Sequence, residues 1–466
     1  MSPTTRVKLS VMMFLQFFVW GAWYGQMSKY LLTELHASGD QVGNAYAAFS
    51  LAMIIAPFFV GMIADRYFAA QKVLGVLNLL GAVVLYFITQ NTDPGQFFYL
   101  ILAYCLTFAP TLALTSSIAF THLDNDGSYK WLKIVGSLLL IVGGVALVYF
   151  KFISDQFSNN PVATWLPLGI ILAGGLFIVF SPVSNNKDAF PFIRVSGTVA
   201  WIVVTNIVGF LGFGDKVTIF QLSMYSAVVL GVLAFFLPDT PPKATTSTSF
   251  SQILGLDAFK LFKDRSFAIF FLSSVLICIP LSFYYAMANP SLTDGGMQNV
   301  ENKMSLGQAS EVIFMLLIPL AFSRLGVKKM LIVGLVAWIV RFICFGYGDV
   351  SSEWMLYIAI VLHGVCYDFF FVTGQIYTDN KAGEKIKSSA QGLISIATYG
   401  IGMGIGSKIS GIVLDMYTRP DGTKDWLNVW LVPAGIAAVV LILFVLLFTD
   451  TQKTQAKEGE LVAGNL

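Results

Sequence analysis

The chain has 466 residues, 56% of them hydrophobic and only 12% charged, with 40 Phe. That balance is far from soluble averages and places the protein in a membrane. The formal net charge of +2 is spread along the chain without a polybasic cluster, so it points to neither nucleic acid nor an acidic partner.

The N-terminal string MSPTTRVKLSVMMFLQFFVW begins basic and turns apolar, as a secretory signal does. Its apolar stretch runs on to Leu32 without a cleavage site, so it reads as the first span. A hydrocarbon core of about 30 Å needs roughly 20 apolar residues per helix. Fourteen stretches meet that need: 9–32, 41–64, 73–90, 97–120, 131–150, 163–181, 192–213, 219–237, 267–288, 305–323, 330–347, 354–377, 388–414 and 426–449. The connections are short except for Pro238 to Ser266. That linker is rich in Pro, Thr and Ser and then turns into ILGLDAFKLFKD, whose apolar spacing predicts an amphipathic helix along the membrane surface.

Cytoplasmic flanks are enriched in Lys and Arg. With the N-terminus inside, most of the 28 basic residues fall in inside loops, and Lys29, Lys151, Lys216, Lys303, Arg419 and Lys424 fall outside. Both termini are therefore expected in the cytoplasm. The four cysteines, Cys105, Cys278, Cys344 and Cys366, each sit in an apolar run with no metal-ligand or redox spacing, and read as small buried hydrophobes.

Two inside loops resemble each other. GMIADRYFAAQK follows the second span and keeps Gly61, Asp65 and Arg66; PLAFSRLGVKK keeps Arg324, Gly326, Lys328 and Lys329. Both approximate the G-x-x-x-D-R-x-G-x-K-K signature of major facilitator transporters, and recurrence at equivalent places suits a parallel-repeat transporter. The expected fold is all-α and integral to the membrane: two six-helix halves plus an inserted two-helix hairpin. The boundaries are 1–126 for helices 1–4, 127–188 for the hairpin and 189–237 for helices 5–6. The linker follows at 238–266, helices 7–12 at 267–452 and the tail at 453–466.

Ionisable groups inside spans carry the chemistry. A charge at a helix centre costs about 2.5 to 3.5 kcal/mol on insertion scales, so an unneeded one is selected away. The candidates are Asp368, Glu311, Arg194, Lys408 and Arg341. Asp368 and Glu311 lie on different spans, with Gln308 one turn from Glu311. Burial disfavours a carboxylate's charge and a second carboxylate disfavours it further, so one of the two can hold a proton and release it when the site opens. The alternative is an ion pair with Arg194 or Lys408 that only locks helices together. Arg194, Thr198 and Trp201 share one helical face, a stripe of cation, hydroxyl and indole suited to a ligand with polar and flat parts. Arg341 lies near the outer end of its span and reads as structural. Lys408 follows YGIGMGIGSK, whose glycines allow close helix approach and form no nucleotide loop. His363 lies about 140° around the helix from Asp368, so the two do not share a face. In LQFFVWGAW, Gln16 carries more weight than Trp20 and Trp23.

At these residues the sequence resembles the bacterial nucleoside:proton symporter family of the major facilitator superfamily. The strings that carry the resemblance are LQFFVWGAW, FPFIRVSGT, ILGLDAFKLFKD, QASEVIF, AWIVRFICFGYGD, DFFF, SSAQGL and DWLNVWL. The resemblance implies an inner-membrane symporter that carries a nucleoside in a central cavity with a proton, not an enzyme. It implies Asp368 and Glu311 as polar or proton-linked contacts, Arg194, Thr198 and Gln308 as cavity-lining residues, and Trp201 at an aromatic position. Ser282 and Tyr285 stand where the family uses amides, and His363 where it uses tyrosine. Base preference is therefore open, and a sugar or another small neutral metabolite is the alternative substrate. A membrane-embedded enzyme or sensor would need a catalytic cluster or a signalling module, and the sequence offers neither. The expected partners are the substrate, a proton and the lipid bilayer, with no nucleic acid, metal or cofactor, and the chain is expected to be a monomer.

Overall fold

The computed structural model describes residues 3–59, 67–122, 186–242 and 256–449. Every predicted span on these residues overlies helix, because a bilayer core offers no water to backbone N–H and C=O groups and they must pair within the segment. In chain order the helices are α1 (Pro3–Trp23), α2 (Met27–Thr33), α3 (Gly39–Phe59), α4 (Ala70–Gln90), α5 (Pro94–Thr121), α6 (Asn186–Phe210) and α7 (Thr218–Ala234). A 3-10 helix (Leu256–Lys263) leads into α8 (Arg265–Asp294), α9 (Val300–Tyr347), α10 (Glu353–Tyr367), α11 (Thr373–Ser395), α12 (Met403–Met416) and α13 (Trp426–Leu447). Two π-helical turns, Asp368–Val372 and Ile396–Gly402, join α10 to α11 and α11 to α12.

Seven helices among the described residues are long and apolar enough to cross a bilayer: Thr4–Thr33, Ala70–Gln90, Pro94–Thr121, Arg265–Asp294, Leu320–Tyr347, Val350–Gly383 and Trp426–Leu447. Ser196–Phe210 and Thr218–Ala234 are apolar but shorter. The expected hairpin spans at 131–150 and 163–181, the first loop motif at Gly61, Asp65 and Arg66, and the tail at 453–466 lie outside the described residues.

The chain divides into two compact units. The first comprises Met1–Ser247 and Tyr285–Ala309. Within it α1 packs on α6 and α7, α4 on α5 and α7, and α3 on α5. Met12, Met13, Leu74, Leu114, Ile118 and Leu230 form a buried core. Gly75 and Gly231 let α4 and α7 meet backbone to backbone: a Cβ on Gly75 would stand 3.0 Å from the Gly231 carbonyl oxygen. Leu80, Val83 and Phe87 of α4 and Val228, Val229 and Val232 of α7 remain exposed, an apolar outer face that suits lipid. Tyr285–Ala309, which the sequence assigns to the C-terminal half, packs with this unit.

The second unit comprises Thr248–Tyr284 and Ser310–Leu466. Trp338, Phe342, Trp430 and Phe345 stack in succession, with centroids 5.3, 5.6 and 4.8 Å apart, and hold α9 to α13. The linker segment expected as an amphipathic α-helix is 3-10 over Leu256–Lys263. Its Ala258 is buried with Ala390 and Leu393 of α11, while Phe259 stays exposed. Lys328 of the second loop motif links α9 to the end of α13. Gly326 breaks α9 with φ 69°, and Lys328 Nζ donates to the carbonyls of Phe448 at 2.6 Å and Val445 at 3.3 Å. A cation there also complements the negative end of α13. Arg324 and Lys329 are exposed.

Candidate functional site

Asp368 opens the π-helical turn after α10, a wider turn that often marks functional positions. Its side chain is fully buried, and neither carboxylate oxygen has a hydrogen-bond partner among the described residues. Of the two cations expected as a locking partner, Lys408 on α12 is exposed and makes no hydrogen bond to it, and the Arg194 side chain lies outside the described residues. Glu311 on α9 is half-buried and within electrostatic reach of Asp368.

Gly364 brings them together. A Cβ at this position would lie 2.5 Å from the Ser310 carbonyl carbon and 2.6 Å from the Glu311 nitrogen, so α9 and α10 touch through their backbones. The Gly364 N–H also donates to Ser310 Oγ at 3.0 Å. Asp368 follows one helical turn after Gly364, on the same side of the helix.

Arg341, near the end of α9, is fully buried within the second unit. Its Nε donates to the Ala359 carbonyl at 2.7 Å, and its Nη1 contacts His363 Nδ1 at 3.0 Å and Cys366 Sγ at 3.7 Å. The guanidinium carbon sits 3.7 Å over the Tyr284 ring. Arginine can only donate, so His363 Nδ1 accepts and the imidazole is neutral, with its proton on Nε2. His363 is thereby committed to a helix contact. The Ser282 hydroxyl is similarly buried, 3.0 Å from the carbonyls of both Cys278 and Met403. Tyr367 and Tyr399 share a hydroxyl contact at 2.7 Å.

In the first unit, Gln16 is fully buried and donates to Thr111 Oγ1 at 2.7 Å, while its Oε1 has no partner among the described residues. Trp20 meets Trp201 edge to face at 5.4 Å and stacks on Phe49 at 5.3 Å. Tyr285 meets Tyr24 at 5.2 Å. Thr198 and Gln308 are half-buried, and the Arg194 side chain lies outside the described residues.

Sequence reasoning passed over a polar cluster of this unit. Asn206 Nδ2 donates to Ser305 Oγ at 3.0 Å, and Asn302 Nδ2 donates to Asn206 Oδ1 at 2.9 Å. Lys29 pairs with Glu301. The signal for the amides was present, since uncharged polar residues inside spans also have to find partners. A search confined to charges does not reach them.

The family profile described as nucleoside H+ symporter matches residues 3–167 and 164–453. YegT of Escherichia coli K12 is 36% identical over 462 residues, which cover 96% of this chain and 94% of that protein. The xanthosine permease of Escherichia coli K12 is 31% identical over 452 residues, 94% of each chain. The crystal structure of the nucleoside transporter NupG superposes with a TM-score of 0.76 at 27% identity, covering 97% of this chain and 100% of that one. The fold is thus all-α, membrane-spanning and of the major facilitator kind. With the half-buried acid of α9 and the buried acid of the π turn set in that fold, and with similarity running almost from end to end, the chain belongs to the nucleoside H+ symporter family.

Proposed function

We infer that this protein is a proton-coupled nucleoside transporter of the inner membrane, a multi-pass carrier that works by alternating access. One observation carries the reading. Asp368 is a fully buried carboxylate without a hydrogen-bond partner among the described residues, and it stands beside Glu311. A locked structural acid would have a cation on it, whereas a proton carrier has to be free to load and unload.

The nucleoside contacts in this reading are Gln16, Arg194, Thr198, Trp201, Ser282, Tyr285, Gln308, Glu311, His363 and Asp368. Ribose hydroxyls donate well to carboxylates, and a base offers a flat face to Trp201 and an amide-like edge to Gln308. His363 and Ser282 are the weakest members of this set, since both spend a polar atom on helix contacts. The same reading takes fourteen spans, with the hairpin at 127–188 inserted between two six-helix halves, both termini cytoplasmic and the chain a monomer.

Competition of labelled uridine uptake tests the substrate class. Purine and pyrimidine nucleosides compete if the reading is right. Competition by hexoses and not by nucleosides removes it in favour of a sugar carrier.

A further inference from the structure

The hairpin between α8 and α9 leaves the unit to which the rest of both helices belongs. Tyr285–Ala309 packs in the first unit, whereas Thr248–Tyr284 and the chain from Ser310 onward make up the second. What holds the hairpin there is polar. Glu301 pairs with Lys29 of α2 at 2.8 Å, and Asn289 reaches the same carboxylate oxygen at 3.5 Å. Asn302 Nδ2 donates to the Oδ1 and the carbonyl of Asn206 on α6, at 2.9 and 3.2 Å. Asn206 Nδ2 donates in turn to Ser305 Oγ at 3.0 Å. Two glycines make room for these side chains: a Cβ on Gly209 would stand 2.7 Å from Asn302 Cγ, and one on Gly214 2.6 Å from Glu301 Cδ. Asn206, Asn289, Glu301, Asn302 and Ser305 are all buried, and Tyr285 meets Tyr24 edge to face at 5.2 Å.

Elsewhere this unit is packed differently. Its core is Met, Leu and Ile, and α4 meets α7 at Gly75 and Gly231. An apolar contact would hold the hairpin at least as firmly as an ion pair and amides, because buried charges are costly to desolvate. A polar contact differs in how it opens: water replaces each of its hydrogen bonds, and little apolar surface is exposed. Alternating access requires a contact that parts in this way at each face of the membrane. The chain runs from Pro3 through α1 and α2 to Lys29, so this contact lies at the face opposite the N-terminus. With cytoplasmic termini that is the outer face.

We propose that Tyr285–Ala309 is an outer latch. With Glu301 on Lys29 and Asn302 on Asn206 it closes the outer entrance, and it leaves α2 and α6 each time a nucleoside enters from outside. This rests on the alternating-access reading above and names the residues whose contact opens.

A disulfide across the contact tests it. Asn302 Cγ is one bond of about 1.5 Å from its Cβ, so Cβ atoms at Gly209 and Asn302 lie at most about 4.2 Å apart, within disulfide reach. The full-length Gly209→Cys, Asn302→Cys protein in right-side-out vesicles is assayed for labelled uridine uptake after oxidation and again after reduction, with bridge formation followed by thiol titration. Uptake is expected to fall at least tenfold on oxidation and to return on reduction, while Asn302→Cys alone responds to neither. A bridged variant that takes up uridine as fast as its reduced form overturns the proposal. If the double variant does not fold, or is inactive when reduced, Ser305→Cys decides. Ser305 is fully buried in the latch, so a thiol there is reached only when the latch opens. A membrane-impermeant maleimide added outside during uridine turnover is expected to label it, with the wild type, whose four cysteines are buried, as the unlabelled control. No labelling above the wild type overturns the proposal. Wild-type vesicles that take up no uridine would instead remove the transport reading itself.

Discussion

Lys29 and Glu301 form an ion pair, Nζ to Oε1 2.8 Å, between residues 272 positions apart. Lys29 lies on α2 and Glu301 at the start of α9, and both side chains are largely buried. Asn289 Nδ2 reaches the same carboxylate oxygen at 3.5 Å. Tyr285–Ala309 therefore belongs to the first unit for an identifiable electrostatic reason. Removing one partner leaves a largely buried charge uncompensated, which costs up to about 3 kcal/mol. Glu301→Gln and Lys29→Met are each expected to lower the thermal unfolding midpoint in detergent and to slow uridine uptake. The exchanged double variant, Lys29→Glu with Glu301→Lys, is expected to recover much of both. Failure of the exchange to recover either would show that the pair does not set this contact.

Asp368→Asn keeps the size and removes the charge of the buried acid. Proton-driven uridine accumulation is expected to fall at least tenfold, about 1.4 kcal/mol in coupling, while the protein still folds. Normal gradient-driven accumulation in this variant would remove Asp368 from the mechanism.

Gly364 tests the geometry that places the acids side by side. Gly364→Ala puts a methyl group against the backbone of Ser310 and Glu311, an overpacking that costs about 1–3 kcal/mol. The thermal midpoint is expected to drop and coupled uptake to fall with it, as Glu311 is pushed from Asp368. Gly392→Ala in α11 is the control, because a Cβ there meets nothing within 4 Å. It is expected to be neutral or slightly stabilising.

Asp264 gives a pH dependence outside the spans. Burial pushes its carboxyl up, but the ion pair with Lys381 and the backbone N–H groups of Phe267 and Ser266 outweigh that and hold it below the usual carboxylate range. A depressed folded value adds stability above the unfolded value of about 3.9, and the gain is lost as pH falls through the folded value. The side chain remains about a third exposed, so the effect is expected below about 1 kcal/mol. Unfolding midpoints between pH 6 and pH 3 should show it as a small acid-limb loss. Asp264→Asn keeps the helix cap and is expected to lack that limb.

The apolar runs of the chain determined by themselves that the protein is helical and membrane-embedded, because lipid leaves the backbone no other way to satisfy its polar groups. They also marked Asp368 and Glu311, since a carboxylate inside such a run is costly and therefore conspicuous. Tertiary structure decided what the side chains meet. Arg341 reads as structural along the chain, but that it meets Tyr284 and His363 was decided by packing. The bond from Asn302 to Asn206 joins positions 96 residues apart, and no local pattern encodes which amide will find which. Periodicity fixes the face of a helix, but packing against helices remote in sequence fixes what that face touches. The sequence marks Glu311 and Asp368 one by one; that their helices meet backbone to backbone at Gly364 was decided by the fold.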